Sequence, residues 1–204
     1  MVIGKDFAWA HLPKTGGDAT SEMFRMFPDL IDYADPLDSN DKHAYFQSRA
    51  QEVRGKILVL NIRRLPAWAL SRAQHASRWG KWPAYEPIPM PNADELAASS
   101  FPDERLNLYT DDGWFWPDHW LRMETLAEDL LLFVSSLRDV TAAERERVVS
   151  LGDVNAGEYD RDVDNWFTPA QIRRLYLNNP SWATVEQELY GELYQPAAEA
   201  GTVS

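Results

Sequence analysis

Phe7-Ala8-Trp9-Ala10-His11-Leu12-Pro13-Lys14-Thr15-Gly16-Gly17 is the stretch whose reading decides the fold. Its first six residues are apolar or aromatic over a run too short for a helix, which predicts a buried strand. Pro13 breaks the strand. Gly16 and Gly17 let the chain turn tightly and let backbone approach a ligand closely. Beyond them Ala19, Met23, Met26 and Phe27 share one face of a helix, which Pro28 ends. A strand, a glycine turn and a helix in that order aim helix N–H groups and the positive dipole end at the turn. Lys14 adds a full charge there, and Thr15 a hydroxyl donor. This is chemistry for a phosphate or a similar anion. It is not a Walker A loop, in which the Lys follows the glycines. For these residues alone, the alternative is an ordinary turn carrying a surface lysine.

Further along, Lys56-Ile57-Leu58-Val59-Leu60-Asn61-Ile62 predicts a second strand, covered on both faces. Pro66 opens a helix through about Arg78, a first-turn position that suits proline. Residues 79–120 predict a long irregular excursion around a short helix at 93–99. Trp120 to Met123 predicts a third strand. Helices are predicted over Thr125–Leu137, Thr141–Leu151, Thr168–Asn178 with Thr168 as cap, and from a Ser181 cap to about Gly191. Residues 30–41 read as an Asp-rich loop. Strands alternating with helices imply an α/β fold with a mostly parallel sheet and a helix-rich C-terminal half. The whole reads as one domain over 1–194, with a fraying tail at 195–204.

The chain has 204 residues, no Cys, nine Trp and 13 Pro. The length suits one domain with a real core. The lack of Cys excludes disulfides, thiolate metal sites and a Cys nucleophile. No apolar run is long enough for a membrane span, and the N-terminal residues lack a signal-peptide layout, so a soluble, cytoplasmic protein is expected. The net charge of −12 argues against nucleic acid as a partner. That charge is uneven. Residues 41–80 hold 8 basic and 2 acidic side chains, whereas residues 81–204 hold 9 basic and 23 acidic. The acidic surplus therefore describes mainly the later chain, and the basic island can serve an anion.

Within that island the second strand runs into Arg63-Arg64-Leu65-Pro66, with Ser71 and His75 on the following helix. An arginine at a strand end offers a bidentate fork to a phosphate, and Ser71 adds a hydroxyl. The alternative is a surface arginine pair.

The string HLPKTGG resembles the 5′-phosphosulfate loop of sulfotransferases that use 3′-phosphoadenosine 5′-phosphosulfate (PAPS), closest to the carbohydrate type, where it commonly reads IPKTGGTS. Lys14, Thr15, Gly16 and Gly17 match position for position. Asp18 stands where the family usually has Thr, with Thr20 two residues on. The segment from Arg63 resembles the family's 3′-phosphate element, R-D-P-x-x-R-x-x-S-x-x-x-H. Arg63 and Ser71 keep its spacing, while Pro66 is shifted by one, which leaves Arg64 as a reserve for Arg63. LRMETLAEDL (121–130) and WFTPAQIRRLY (166–176) resemble later family segments, and Glu124 and Asp129 in the first read as structural.

The resemblance implies a P-loop-type three-layer fold and sulfuryl transfer from PAPS to a hydroxyl of a carbohydrate or other small molecule. The product would be adenosine 3′,5′-bisphosphate. No metal is required, because Lys and Arg supply the positive charge. Lys14, Thr15, Gly16, Gly17, Thr20, Arg63 and Ser71 would hold the nucleotide, with Lys14 also catalytic. His43, in a segment resembling the family's KHA, is the candidate base, with another His or a carboxylate such as Asp111 or Glu86 as the alternative. The Trp-rich excursion would wall the acceptor, or its Trp residues pack a small core. A non-catalytic nucleotide-binding or assembly protein and a nucleotide phosphotransferase remain as other readings.

Overall fold

The computed structural model describes residues 1–78, 93–154 and 157–196. The chain forms two compact units: Met1–Arg63 with Arg105–Ala156, and Arg64–Glu104 with Gly157–Ser204. The sequence predicts a single domain over 1–194. Trp79, Trp82 and Glu86 of the excursion, and residues 197–204 of the tail, lie outside the described residues.

The strands are β1 (Val2–Gly4), β2 (Phe7–Ala10), β3 (Ile31–Ala34), β4 (Ile57–Ile62) and β5 (His119–Arg122). The helices are α1 (Gly17–Arg25), α2 (Ala50–Val53), α3 (Leu65–Arg78), α4 (Ala93–Ala98), α5 (Phe101–Thr110), α6 (Leu126–Leu137), α7 (Ala142–Val149), α8 (Pro169–Leu177) and α9 (Pro180–Tyr190). The sheet runs β3-β1-β2-β4-β5. β2, β4 and β5 are parallel, but β1 is antiparallel to both β2 and β3. The fold is α/β with a mixed sheet, which corrects the expectation of a mostly parallel one.

Two short strands account for the difference. β1 folds back on β2 as a hairpin pairing Val2 with Trp9 and Ile3 with Ala8. Gly4 permits this bend, since a Cβ there would lie 2.2 Å from the Phe7 ring. β3 is a sheet edge in which Asp32 and Tyr33 are exposed, so its polar content reads as loop.

In the sheet unit, Phe7 and Trp9 meet Phe24 of α1 at ring distances of 5.0 and 5.8 Å, and Phe133 of α6 lies 5.3 Å from Phe7. All four are essentially fully buried. Burial of each such ring contributes about 1.5–3 kcal/mol. The parallel pairing sets Ala10 beside Leu60. The turn that follows β2 and the Arg63 that follows β4 therefore leave the sheet at the same edge, where α/β folds take their ligands.

The helical unit packs Trp68 of α3 against Trp182 of α9 at 5.0 Å. α8 starts as its sequence predicts, with Thr168 and Gln171 forming a capping box and Pro169 in the first turn. α9 begins at Pro180, so Ser181 is not its cap. The buried Asp103 carboxylate takes that role, accepting from Ser181 N and Trp182 N at 2.8 Å each.

Candidate anion site

The turn after β2 has a left-handed backbone at alternate positions, with φ of 70° at Lys14 and 85° at Gly16. Alternation of this kind turns successive N–H groups toward one point and makes a concavity for an anion. For Lys14, a non-glycine residue, it costs about 1–2 kcal/mol. α1 begins directly at Gly17, and no side chain among the described residues caps it.

Asn61 secures this backbone. Fully buried on β4, it donates to Thr15 O at 3.0 Å and to Thr20 Oγ1 at 2.8 Å, and accepts from Trp9 Nε1 at 2.5 Å. Thr20 Oγ1 passes its own proton to Gly16 O at 3.0 Å, and Thr15 Oγ1 donates to Leu12 O at 2.7 Å. The two threonines expected to donate to phosphate thus direct their protons into the turn itself. The signal for Asn61 was available as one amide inside a continuous apolar strand.

The glycines have structural causes. Gly16 needs its positive φ, and a Cβ there would meet Met123 Sδ at 2.2 Å. At Gly17 the space of a Cβ is filled by the His11 ring, with Cδ2 at 1.8 Å.

Arg63 comes to the turn, its Nη1 3.4 Å from Lys14 O. Lys14, Gly16, Gly17 and Arg63 are therefore brought together. Arg64 turns elsewhere. It donates to Glu186 Oε1 at 3.1 Å and to Glu192 O, and lies 4.2 Å over the Tyr190 ring. The fully buried Glu186 also accepts from Leu65 N and Tyr176 Oη, each at 2.7 Å. Arg64 thus balances that buried carboxylate. Ser71 is buried on α3 in the helical unit, whereas Arg63 closes the sheet unit.

Behind the turn lies a polar cluster. His11 and His43 have ring centres 4.4 Å apart, and His43 Nδ1 faces His11 O at 3.5 Å. Tyr109 Oη sits 2.9 Å from the carbonyl oxygens of both histidines, its proton bridging them. Asp18 pairs with Lys42 at 2.9 Å and stands 4.0 Å from His11 Nδ1. The residue that departs from the sulfotransferase pattern is thereby neutralised within the chain. Burial first, then the charge of the neighbouring His43, holds His11 far below the ordinary histidine range. Burial likewise lowers His43. Both rings are neutral at pH 7. With Nδ1–H directed at His11 O, His43 would keep its Nε2 lone pair as a base. Tyr109 and Lys42 were not assigned from sequence, because nothing local marks a tyrosine or lysine as a long-range partner.

His119 lies on β5 against Phe133, at 4.9 Å, and serves packing. Asp129 clamps Arg122 at the end of β5 with bonds of 2.7–2.9 Å to the side chain and backbone, a structural role as expected. Trp114 is 87% exposed and Trp116 46% exposed, so these two do not fill a core. Asp111 is partly exposed at a backbone φ of 48°.

No protein-family model, no curated protein and no solved structure matches this chain. The sulfotransferase resemblance rests on the short motifs quoted above. Among the described residues no helix is long and apolar enough to cross a membrane. Nor do three or more His, Asp or Glu gather among them as a metal-binding group.

Proposed function

We propose that the chain is a PAPS-dependent O-sulfotransferase of P-loop-type architecture, acting on a carbohydrate or another small hydroxylated acceptor. One observation carries the reading: Arg63 reaches the same left-handed turn that bears Lys14 and opens α1. That turn would hold the 5′-phosphosulfate, and Arg63 the 3′-phosphate. The acceptor oxygen would attack sulfur while the bond from sulfur to the 5′-phosphate oxygen breaks. Lys14 would balance the charge growing on that oxygen, and His43 Nε2 would take the acceptor's proton. Lys and Arg supply the positive charge, so no metal is required.

Adenosine 3′,5′-bisphosphate should raise the melting temperature of the wild-type chain. Lys14→Ala should abolish turnover of PAPS with a hydroxylated acceptor panel while leaving the fold intact by circular dichroism. A chain that binds neither PAPS nor the bisphosphate would overturn the reading. The inward-directed hydroxyls of Thr15 and Thr20 favour a second reading, a nucleotide-binding protein without transfer. Tight bisphosphate binding with no transfer to any acceptor would support that one.

A further inference from the structure

Three backbone segments of the sheet unit meet behind the anion turn. The end of β2 brings the His11 carbonyl there, the helical turn Asn40–His43 brings His43, and the last turn of α5 brings Tyr109. Tyr109 is 2% exposed, and its hydroxyl lies 2.9 Å from His11 O and 2.9 Å from His43 O. Burial holds the phenol well above its ordinary range, so it stays protonated and donates. One O–H is thus shared by two carbonyl oxygens. Carbonyl oxygens that converge on one point repel, and the shared proton offsets that repulsion.

His11 O is fixed by the sheet, since the neighbouring Ala10 pairs with Leu60. The His43 ring meets that oxygen through a long contact, Nδ1 at 3.5 Å. A contact of that length constrains a ring weakly, and an unconstrained neutral imidazole divides its proton between both nitrogens. The Tyr109 bridge joins the backbone that carries the ring to the carbonyl that the ring faces, and so sets their separation. Lys42, 2.9 Å from Asp18, ties the same helical turn to α1, so this turn has a second anchor besides the bridge. We propose that Tyr109 is a positioning residue: its shared hydrogen bond keeps His43 in the Nδ1–H tautomer, with the Nε2 lone pair turned to the acceptor's proton. The tautomer is a property of the fold; only its use as a base rests on the sulfuryl-transfer reading.

Nitrogen NMR of the histidine rings in the isotope-labelled full chain reads the tautomer at neutral pH, with His43→Gln assigning the signals. In the wild type, His43 should carry its proton on Nδ1. In Tyr109→Phe that proton should spread over both nitrogens, while His119, packed against Phe133, keeps its wild-type signals. The same variant should lose about tenfold in kcat with PAPS and keep its affinity for adenosine 3′,5′-bisphosphate within about twofold. A wild-type His43 proton on Nε2 would overturn the inference with no variant needed. So would a tautomer unchanged by Tyr109→Phe, or an unchanged kcat in a chain that transfers. An equal loss of bisphosphate affinity would also overturn it, by marking a merely structural role. If the wild type transfers nothing from PAPS, the sulfuryl-transfer reading falls, and the two tautomers still decide whether Tyr109 orients His43.

Discussion

An alanine at position 17 would set its Cβ 1.8 Å from Cδ2 of the His11 ring. Gly17 is the first residue of α1, where alanine is otherwise the better helix former. The clash alone opposes the substitution. Gly17→Ala should therefore destabilise the protein by about 1–3 kcal/mol in urea unfolding, as overpacking does. In a His11→Ala background the same change should cost less than half as much, because the obstructing ring is gone. If the cost is unchanged in that background, Gly17 is required for something other than His11. The comparison bears on what the sequence made legible. The pair of glycines marks a turn, but it does not say whether a ligand or a side chain occupies the space they leave. Lys14 and Arg63 meet as the motifs imply. Arg64 could not be told from Arg63, because the carboxylate that claims it, Glu186, lies over a hundred residues away.

Elements long enough to show their period were legible: β4, α3, α6, α7 and α8 lie within a few residues of their sequence expectations. β1 and β3 were not: β1 has only three residues, and β3 is an edge strand whose exposed Asp32 and Tyr33 give it the polar content of a loop. α5 was missed inside the excursion, where Phe101-Pro102-Asp103-Glu104 lacks a clear apolar stripe. The start of α9 illustrates the cause. Its sequence suggests Ser181 as cap, yet the two N–H groups are satisfied by Asp103, 78 and 79 residues away. A distant cap of this kind leaves no local signature. Asp103→Ala would strand both donors in a buried place and should cost about 1–3 kcal/mol, measured as a lowered urea midpoint. Asp103→Asn keeps one acceptor oxygen and should recover part of the loss. A midpoint unchanged by Asp103→Ala would show that α9 does not need this cap.

For the molecule as a whole, acid should weaken the fold earlier than its many carboxylates alone would suggest. His11 and His43 are held neutral when folded, both below their ordinary value of 6.5. Below about pH 6.5 the unfolded chain therefore binds more protons than the folded one, so stability falls as pH falls. The groups facing the pair, Asp18 and Lys42, form an ion pair and offset one another. Carboxylates scarcely titrate between pH 7.5 and 5.5, so the net charge of −12 changes little in that window. The urea midpoint should be lower at pH 5.5 than at 7.5, and His11→Gln should shrink the difference. A midpoint equal at the two pH values would contradict the buried neutral pair. The brace that Asn61 supplies has another consequence. The turn is shaped from the sheet behind it, by bonds that involve no ligand. An anion arriving there would meet a surface already in its bound form, and none of its affinity would be lost to ordering a loop. Recognition at this turn would be lock-and-key, with selectivity set by the spacing of fixed N–H groups.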